Sequence, residues 1–557
     1  MNSMFLNDCT EHEISNIIKE LTIGKASDIP ISVIKKCSTV LSPVLAIHFN
    51  YLMRIGQFPD QLKLGKISPI FKKGNEELME NYRPVSTLPI LSKIFEKIIY
   101  TRLYNYFVSQ GILYDKQFGF RKNHSTTHAL NYSVSQIQEG IKNNEHVLGI
   151  FIDLSKAFDT IDHSILLKKL EHYGIRGHTL SLLDSYLKNR TQIVSVLNET
   201  SEPLSVVYGV PQGSCLGPLL FLIYINDLGK IAQDCEIILF ADDTNIFIKS
   251  KSLCVTYERA NAILQKILDY MTCNKLHINL EKSCYMHFSK GKNEVEVVNS
   301  DNTEKLYKLK INQHELPKVS HTKFLGVIID DKLSWSDHIK ALTKKLSCCI
   351  GSLNQIIDSI PERLHKDLYH TLFESYLTYG ISVWGGTSNV KLSPLFKAQK
   401  KVMRVVFGDR VKFLEKFKTC VRTRPVNEQA LTSDFYKKEN SKPLFNSHGF
   451  LTLQNLYYFH CCCEVFKIFK YKCPISLHNL FKFSNRLNCK NLFLISPLPS
   501  ESYIYRMSKI WNVARDILSS PDTATSISAV KTGIKNHLLR KQCIGDNEKW
   551  IELNFAQ

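Results

Sequence analysis

Three aspartates follow short apolar runs, a pattern that suits chemistry at phosphorus. Asp153 ends the run over 147–152 and leads into Leu154-Ser155-Lys156-Ala157-Phe158-Asp159. Asp242 and Asp243 follow the run Ile237 to Phe240, with only Ala241 between. Buried strands that end in carboxylates gather acidic groups at one place. Three carboxylates there can serve two divalent cations that drive in-line attack on a phosphorus centre. An Asp-Asp pair alone carries little weight, since most are solvated turns; the order of motifs around this pair carries the reading.

The elements that must position these residues are legible from periodicity. The runs over 147–152 and 237–240 suit buried central strands. Helices are expected between them at Ser164–Tyr173 and Thr179–Lys188, and one more strand over 323–329. Upstream, Ile14, Ile17, Ile18 and Leu21 recur at helical spacing, and Thr10 followed by Glu13 resembles a capping box. A second helix should run from about Ile31 to Ile55 and stop at Gly56, with Pro59 beyond. Lys66–Phe71 reads as a strand, Lys72-Lys73-Gly74-Asn75 as a basic turn and Asn81–Ser86 as the return. Leu88–Leu103 reads as an amphipathic helix, and Ser125 as the cap of another. Ile339, Leu342, Leu346, Ile350 and Leu353 form one helical stripe. A later helix sets Lys397, Lys400, Lys401 and Arg404 beside Val402, Val405 and Val406.

Bulk properties narrow the partner. The chain has 557 residues, 44% of them hydrophobic, enough for several domains with real cores. No run approaches the roughly 18 apolar residues of a membrane span. The first residues lack a basic n-region and an extended apolar run, so no secretory signal is expected, and the protein should reside in the cytoplasm and/or nucleus. Lys plus Arg is 71 against 52 for Asp plus Glu, a net charge of +19, which points to a polyanion such as nucleic acid. Sixteen cysteines without a signal imply a reducing compartment. His460-Cys461-Cys462-Cys463 lacks the paired spacing of a zinc centre and reads as packed small hydrophobes, with Cys473 and Cys489 the residual source of a zinc knuckle.

Seven motifs then follow in order: Asn81-Tyr82-Arg83-Pro84-Val85-Ser86, Gln117-Phe118-Gly119-Phe120-Arg121, Asp153–Asp159, Gly209–Pro218 around Pro211-Gln212-Gly213, Phe240–Asp243, Leu276–Ser283, and Phe324-Leu325-Gly326-Val327. This series resembles the reverse transcriptase of non-LTR, LINE-type retrotransposons of the Jockey-like group, over roughly residues 10–410. The stretch 381–407, with Trp384, is similar to the thumb region of that group, and Ile510-Trp511-Asn512, less specifically, to its C-terminal regions.

The resemblance implies an α+β right-hand polymerase with fingers, an antiparallel palm sheet and a helical thumb. The expected division is an N-terminal helical extension at 1–60, fingers and palm at 61–330, a thumb at 331–410, and a basic, helix-rich region at 411–557. It implies extension of a DNA primer on template RNA with dNTPs and two Mg2+ ions, Mn2+ being the alternative, with no membrane partner. Asp153, Asp242 and Asp243 would hold the metals together with the Ile152 carbonyl. Lys72, or Lys73 beside it, and Arg83 would bind the triphosphate. Phe158 would be the steric gate against the ribose 2′-hydroxyl. Gln212 and Gly213 would let the backbone approach nucleotide and template. Lys282 would protonate pyrophosphate. Phe324, Leu325 and Gly326 would form the primer grip, and Asp159 would be structural.

Two departures bear on this reading. The segment Lys25-Ala26-Ser27-Asp28-Ile29-Pro30 is shorter than the family's counterpart, which affects template-end contacts rather than chemistry. About 60 residues precede the first finger strand, too few for an endonuclease, so no self-nicking is expected; nor is an RNase H cluster after 410. The runner-up reading is a truncated or repurposed, non-catalytic RNA-binding protein of the same fold, and a group II intron maturase-like protein comes third.

Overall fold

The computed structural model describes residues 3–24, 26–197, 199–289, 307–408, 442–481, 502–517 and 526–544. Helix α1 (Glu11–Glu20) starts where the sequence places its cap: the Thr10 hydroxyl accepts the Glu13 amide hydrogen at 3.1 Å. The helix expected over 31–55 is instead two, α2 (Ile31–Lys36) and α3 (Ser38–Ile55). Cys37 leaves helical geometry at ψ 5° between them, with Ile34 and Ser38 buried on either side of the break. Gly56 ends α3 in a left-handed conformation, as a terminal glycine permits.

Strands β1 (Leu64–Phe71) and β2 (Tyr82–Thr87) form an antiparallel ribbon in which Ile70 faces Arg83. Helix α4 (Ile90–Ser109) follows, its Phe95 ring stacked on Phe49 at 4.6 Å. Asp28, in the shortened segment, accepts the Ile90 amide hydrogen at 2.8 Å and so caps α4; Lys25 lies outside the described residues. Helix α5 (Thr126–Lys142) is capped by Ser125, as expected.

Strand β3 (His146–Leu154) leads to α6 (His163–His172) and α7 (Gly177–Leu187). Strand β4 (Arg190–Val196) then pairs parallel to β1 and antiparallel to the short β5 (Glu199–Thr200) and β6 (Leu204–Val206), completing a five-stranded sheet. After α8 (Gly217–Ile225), strands β7 (Glu236–Phe240) and β8 (Asp243–Ser250) make a hairpin. Helix α9 (Leu253–Cys273) and β9 (Ile278–Phe288) follow, giving a second sheet, all antiparallel, in the order β7-β8-β3-β9.

The alternation of the central strand explains its place. Leu148, Ile150 and Ile152 point into a core shared with α4, α6, α8 and α9, and also with α1 and α3. Val147 and Phe151 point into the opposite core, with α5 and the helices that follow the sheet. A strand apolar on both faces must be covered on both, which puts β3 in the middle.

Two short hairpins come next, β10 (Lys310–Ile311) with β11 (His314–Glu315), and β12 (His321–Phe324) with β13 (Val327–Asp330). The single strand expected over 323–329 is therefore the latter hairpin, because Leu325 and Gly326 both take positive φ, 44° and 87°, and reverse the chain. Helix α10 (Ser336–Ile356) buries Ile339, Leu342, Leu346, Ile350 and Leu353, the stripe read from sequence. The helix Asn389–Phe407 and the helices Leu453–Tyr471, Tyr503–Ile517 and Ile527–Ile544 complete this layer. Cys461, Cys462 and Cys463 are buried within it, while Cys489 lies outside the described residues. No described helix is long and apolar enough to cross a membrane.

Candidate active site

The register of the second sheet brings the three aspartates together. Ile152 faces Thr244 across β3 and β8, so the next step sets Asp153 beside Asp243 where the two strands end. Asp242 lies in the two-residue turn Ala241-Asp242 between β7 and β8, and Ala241 there has φ 54°. The electrostatics report the proximity. Burial, and then the Asp153 charge, push the Asp242 carboxyl above its ordinary range, against Arg83 and Lys72. Burial, followed by Asp242 and Asp153, pushes Asp243 up to about 6.

Among the described residues, no three His, Cys, Asp or Glu side chains close on a common point as a finished metal cage. The carboxylates are neighbours that repel one another. This arrangement fits Mg2+, which keeps several waters and takes substrate phosphates as ligands rather than requiring an all-protein cage. Asp162 and Asp227, also acidic and near in sequence, are engaged elsewhere. Asp162 caps α6 and pairs with Lys275 at 2.6 Å, and Asp227 pairs with Lys169 at 2.8 Å.

A bulge aims Lys282 at this cluster. Against β3, β9 runs from Asn279 to Cys284 while its partner moves only from Asp153 to Phe151. The extra residues loop out, with Ser283 donating to the Asn279 carbonyl at 2.7 Å and the Lys282 amide donating to the Asn279 side chain at 3.3 Å. Lys282 Nζ then stands 3.4 Å from Asp153 Oδ2. A bulge re-aims a side chain that regular pairing would send elsewhere.

Lys72 follows β1, its amide donating to the Asn81 carbonyl at 2.8 Å, and Arg83 lies on β2. Both are exposed, and both act on Asp242; Lys72 also acts on Asp243, which favours Lys72 over its neighbour Lys73 as the cation turned to the cluster. Gln212 is held from two sides. Its carbonyl accepts the Ser86 amide hydrogen at 2.8 Å, and its side-chain amide donates to both Asp159 oxygens at 2.9 and 3.1 Å. The close approach that requires a glycine at 213 is to the chain's own β2. A Cβ there would stand 2.2 Å from the Ser86 carbonyl oxygen, and φ is 138°. Phe158 is half-buried, stacked on Phe221.

The segment 324–326 divides in two. Phe324 is buried and packs on Phe151 of β3, with ring centroids 5.7 Å apart, so it ties the hairpin to the strand that carries Asp153. Leu325 and Gly326 form the turn, and the Tyr379 hydroxyl donates to the Leu325 carbonyl at 2.7 Å.

Glu96 belongs to none of the seven motifs. It is fully buried on α4, and its carboxylate accepts the amide hydrogens of Cys215 at 2.6 Å and Leu216 at 3.3 Å and the Ser92 hydroxyl at 3.1 Å. It thereby fixes the loop that carries Gln212 and Gly213 at the start of α8. Burial pushes its carboxyl up, while the Arg190 charge and these donors work against that. The available signal was a lone acid inside the apolar stretch Ile94, Phe95, Ile98, Ile99.

Compared with known families, residues 70–329 match the model described as reverse transcriptase (RNA-dependent DNA polymerase). Residues 70–329 are thus similar to reverse transcriptase domains. It is 29% identical over 373 residues to a probable RNA-directed DNA polymerase from transposon X-element of Drosophila melanogaster, covering 65% of this chain and 40% of the relative. With a probable RNA-directed DNA polymerase from transposon BS of the same fly it shares 29% over 426 residues, 71% of this chain and 44% of the relative. With the RNA-directed DNA polymerase from mobile element jockey, again of that fly, it shares 27% over 420 residues, 73% and 44% respectively. The chain thus spans less than half the length of these relatives. The likeness is to non-LTR retrotransposon reverse transcriptases, jockey included, as the seven motifs imply.

Proposed function

We propose that this chain is an RNA-directed DNA polymerase that extends a DNA primer on template RNA with dNTPs, using two Mg2+ ions, with Mn2+ as the alternative. In this reading the sheet β7-β8-β3-β9 is the palm, the sheet around β1 and β2 the fingers, and α10 with the helices to Phe407 the thumb. Residues 61–330 would be the catalytic unit and 331–410 the thumb, with 1–60 as an N-terminal extension and 411–557 as a basic C-terminal region. The observation that carries the proposal is the meeting of Asp153, Asp242 and Asp243 at the strand ends, opposite Lys72, Arg83 and Lys282.

When bound, the two cations supply an activated primer 3′ oxygen and neutralise charge on the transferring phosphate and pyrophosphate. Asp153, Asp242 and Asp243 would hold them, with the Ile152 carbonyl beside Asp153. Lys72 and Arg83 bind the triphosphate, the guanidinium offering a two-pronged contact. Lys282 delivers a proton to the departing pyrophosphate. Phe158 occupies the space that a 2′-hydroxyl would need, and the Gln212 backbone approaches the nucleotide. The Leu325-Gly326 turn supports the primer end. The free cysteines among the described residues, five buried and the others partly or fully exposed, support work in a reducing compartment, cytoplasmic and/or nuclear.

The test is primer extension by the purified chain on an RNA template with dNTPs and Mg2+. Extension by the unmodified protein and none by Asp242→Ala/Asp243→Ala, with RNA binding retained, is the expected result. No extension by either protein, with RNA bound tightly, would turn the reading to a non-catalytic RNA-binding protein.

A further inference from the structure

The motif Gln117–Arg121 has no part in the chemistry above, yet it lies against the catalytic turn. The Phe118 amide donates to the Leu239 carbonyl at 2.8 Å, and the Leu239 amide donates to the Lys116 carbonyl at 3.0 Å. Gln117 therefore bridges Leu239 in parallel and adds a position of sheet outside β7. Side chains clamp the same edge: Lys116 pairs with Glu236 at 2.5 Å, and the Tyr114 hydroxyl donates to the Ile237 carbonyl at 2.9 Å.

The side chain of Gln117 is buried, and its Oε1 accepts two amide hydrogens, from Gly119 at 2.9 Å and from Ala241 at 3.0 Å. Both partners are donors, so the oxygen must be the atom that faces them. Its Nε2 has no partner among the described residues, which leaves the oxygen as the anchor. Ala241 immediately precedes Asp242 and holds φ 54°, a left-handed conformation that costs a residue with a Cβ. At Gly119 a Cβ would stand 2.3 Å from the Ala241 nitrogen, so only glycine allows the motif to come this close.

We infer that Gln117 is the positioning residue of the catalytic turn: its Oε1, by accepting the Ala241 amide hydrogen, holds the left-handed turn that aims Asp242 and Asp243. The inference rests on the polymerase reading above. A buried turn amide needs a partner, and at a fully covered position water cannot replace it. Once the acceptor is lost, Ala241 relaxes toward ordinary φ and the two carboxylates rotate from their positions beside Asp153. Supports of this kind around metal ligands are worth about 10–100-fold in metal affinity or rate.

The test uses the full chain with a primer–template. Gln117→Met keeps length and removes the acceptor; should it not fold, Gln117→Asn, one methylene shorter, carries the same measurement. The readouts are kcat and dNTP KM, Mn2+ affinity by electron paramagnetic resonance with a chain-terminated primer and dNTP bound, and the melting temperature. The expected result is a kcat about 10–100-fold lower with dNTP KM little changed, and Mn2+ binding weakened by a similar factor. Ala241→Gly, which takes positive φ freely, should return part of both losses in the Gln117→Met background, a recovery that a purely packing role would not give. Unchanged kcat and Mn2+ affinity, or losses that Ala241→Gly does not relieve, would overturn the inference while leaving the polymerase reading intact. If the unmodified chain neither extends a primer nor binds Mn2+ through Asp242, the polymerase reading falls and the inference falls with it.

Discussion

The rings of Phe158 and Phe221 lie face to face, centroids 4.6 Å apart and planes 28° apart. Phe221 is fully buried on α8, and Phe120 meets Phe158 edge-on at 6.0 Å. The exposed side of Phe158 is therefore a wall that cannot swing away. Phe158→Ala should relax discrimination between deoxyribonucleotides and ribonucleotides. Phe221→Leu, which leaves the wall but removes its backing, should relax it by up to about tenfold, the scale of one aromatic pair. The ratio of kcat/KM for the two nucleotide classes is the measurement, and an unchanged ratio in Phe158→Ala would remove the gate role.

Glu96 joins α4 to the start of α8 across more than a hundred residues of chain. Glu96→Ala would leave the Cys215 and Leu216 amide hydrogens buried without an acceptor, at a cost of about 1–3 kcal/mol for each unmet group. Glu96→Gln keeps one acceptor oxygen and should cost less. Urea denaturation at pH 7 should rank unmodified protein above Glu96→Gln and Glu96→Ala last. Equal midpoints for all three would show that the loop is held by other contacts.

The Tyr379 hydroxyl holds the Leu325 carbonyl at the turn of the β12–β13 hairpin. Tyr379→Phe deletes that bond while the ring remains against Gly326, a change of about 1 kcal/mol. If the turn supports the primer end, KM for primer–template should rise about fivefold while that for dNTP stays put. A selective rise for dNTP instead would move the turn's role to the nucleotide.

His338 makes stability depend on pH. Burial lowers its pKa to about 4, and its Nδ1 accepts the Ile328 amide hydrogen at 3.3 Å, so the folded ring is neutral. The unfolded ring takes up a proton near the ordinary 6.5. The stabilisation is thus fully present above pH 6.5 and is lost as pH falls through about 4. Burial lowers His124 to about 4 as well, which adds to the same trend. The urea midpoint should fall between pH 7.5 and pH 5, and His338→Asn, which keeps an acceptor near the Nδ1 position, should flatten part of that slope. An unaltered slope would mean that His338 titrates alike in both states.

Elements controlled by local spacing are legible in the chain without its fold. The Thr10 and Ser125 caps, the apolar strands ahead of Asp153 and Asp242, the α10 stripe and the order of the seven motifs all depend on residues a few positions apart, because 2.0- and 3.6-residue periods act over short spans. Turns chosen by one residue's backbone were less legible. The break at Cys37 and the reversal at Leu325-Gly326 interrupt runs whose apolar pattern continues through them.

Contacts that span long stretches of chain are settled by the packing of the fold. It set Glu96 against Cys215, Gln117 against Ala241 and Phe158 against Phe221, and it looped out β9 so that Lys282 reaches Asp153. It also gave the glycine at 213 a reason other than the one its motif implies, the close passage of Ser86. The physical cause is common to all of them. A buried hydrogen bond, or an atom 2–3 Å from a neighbouring backbone, is fixed by which elements pack together, and that packing depends on the whole chain rather than on any local run of residues.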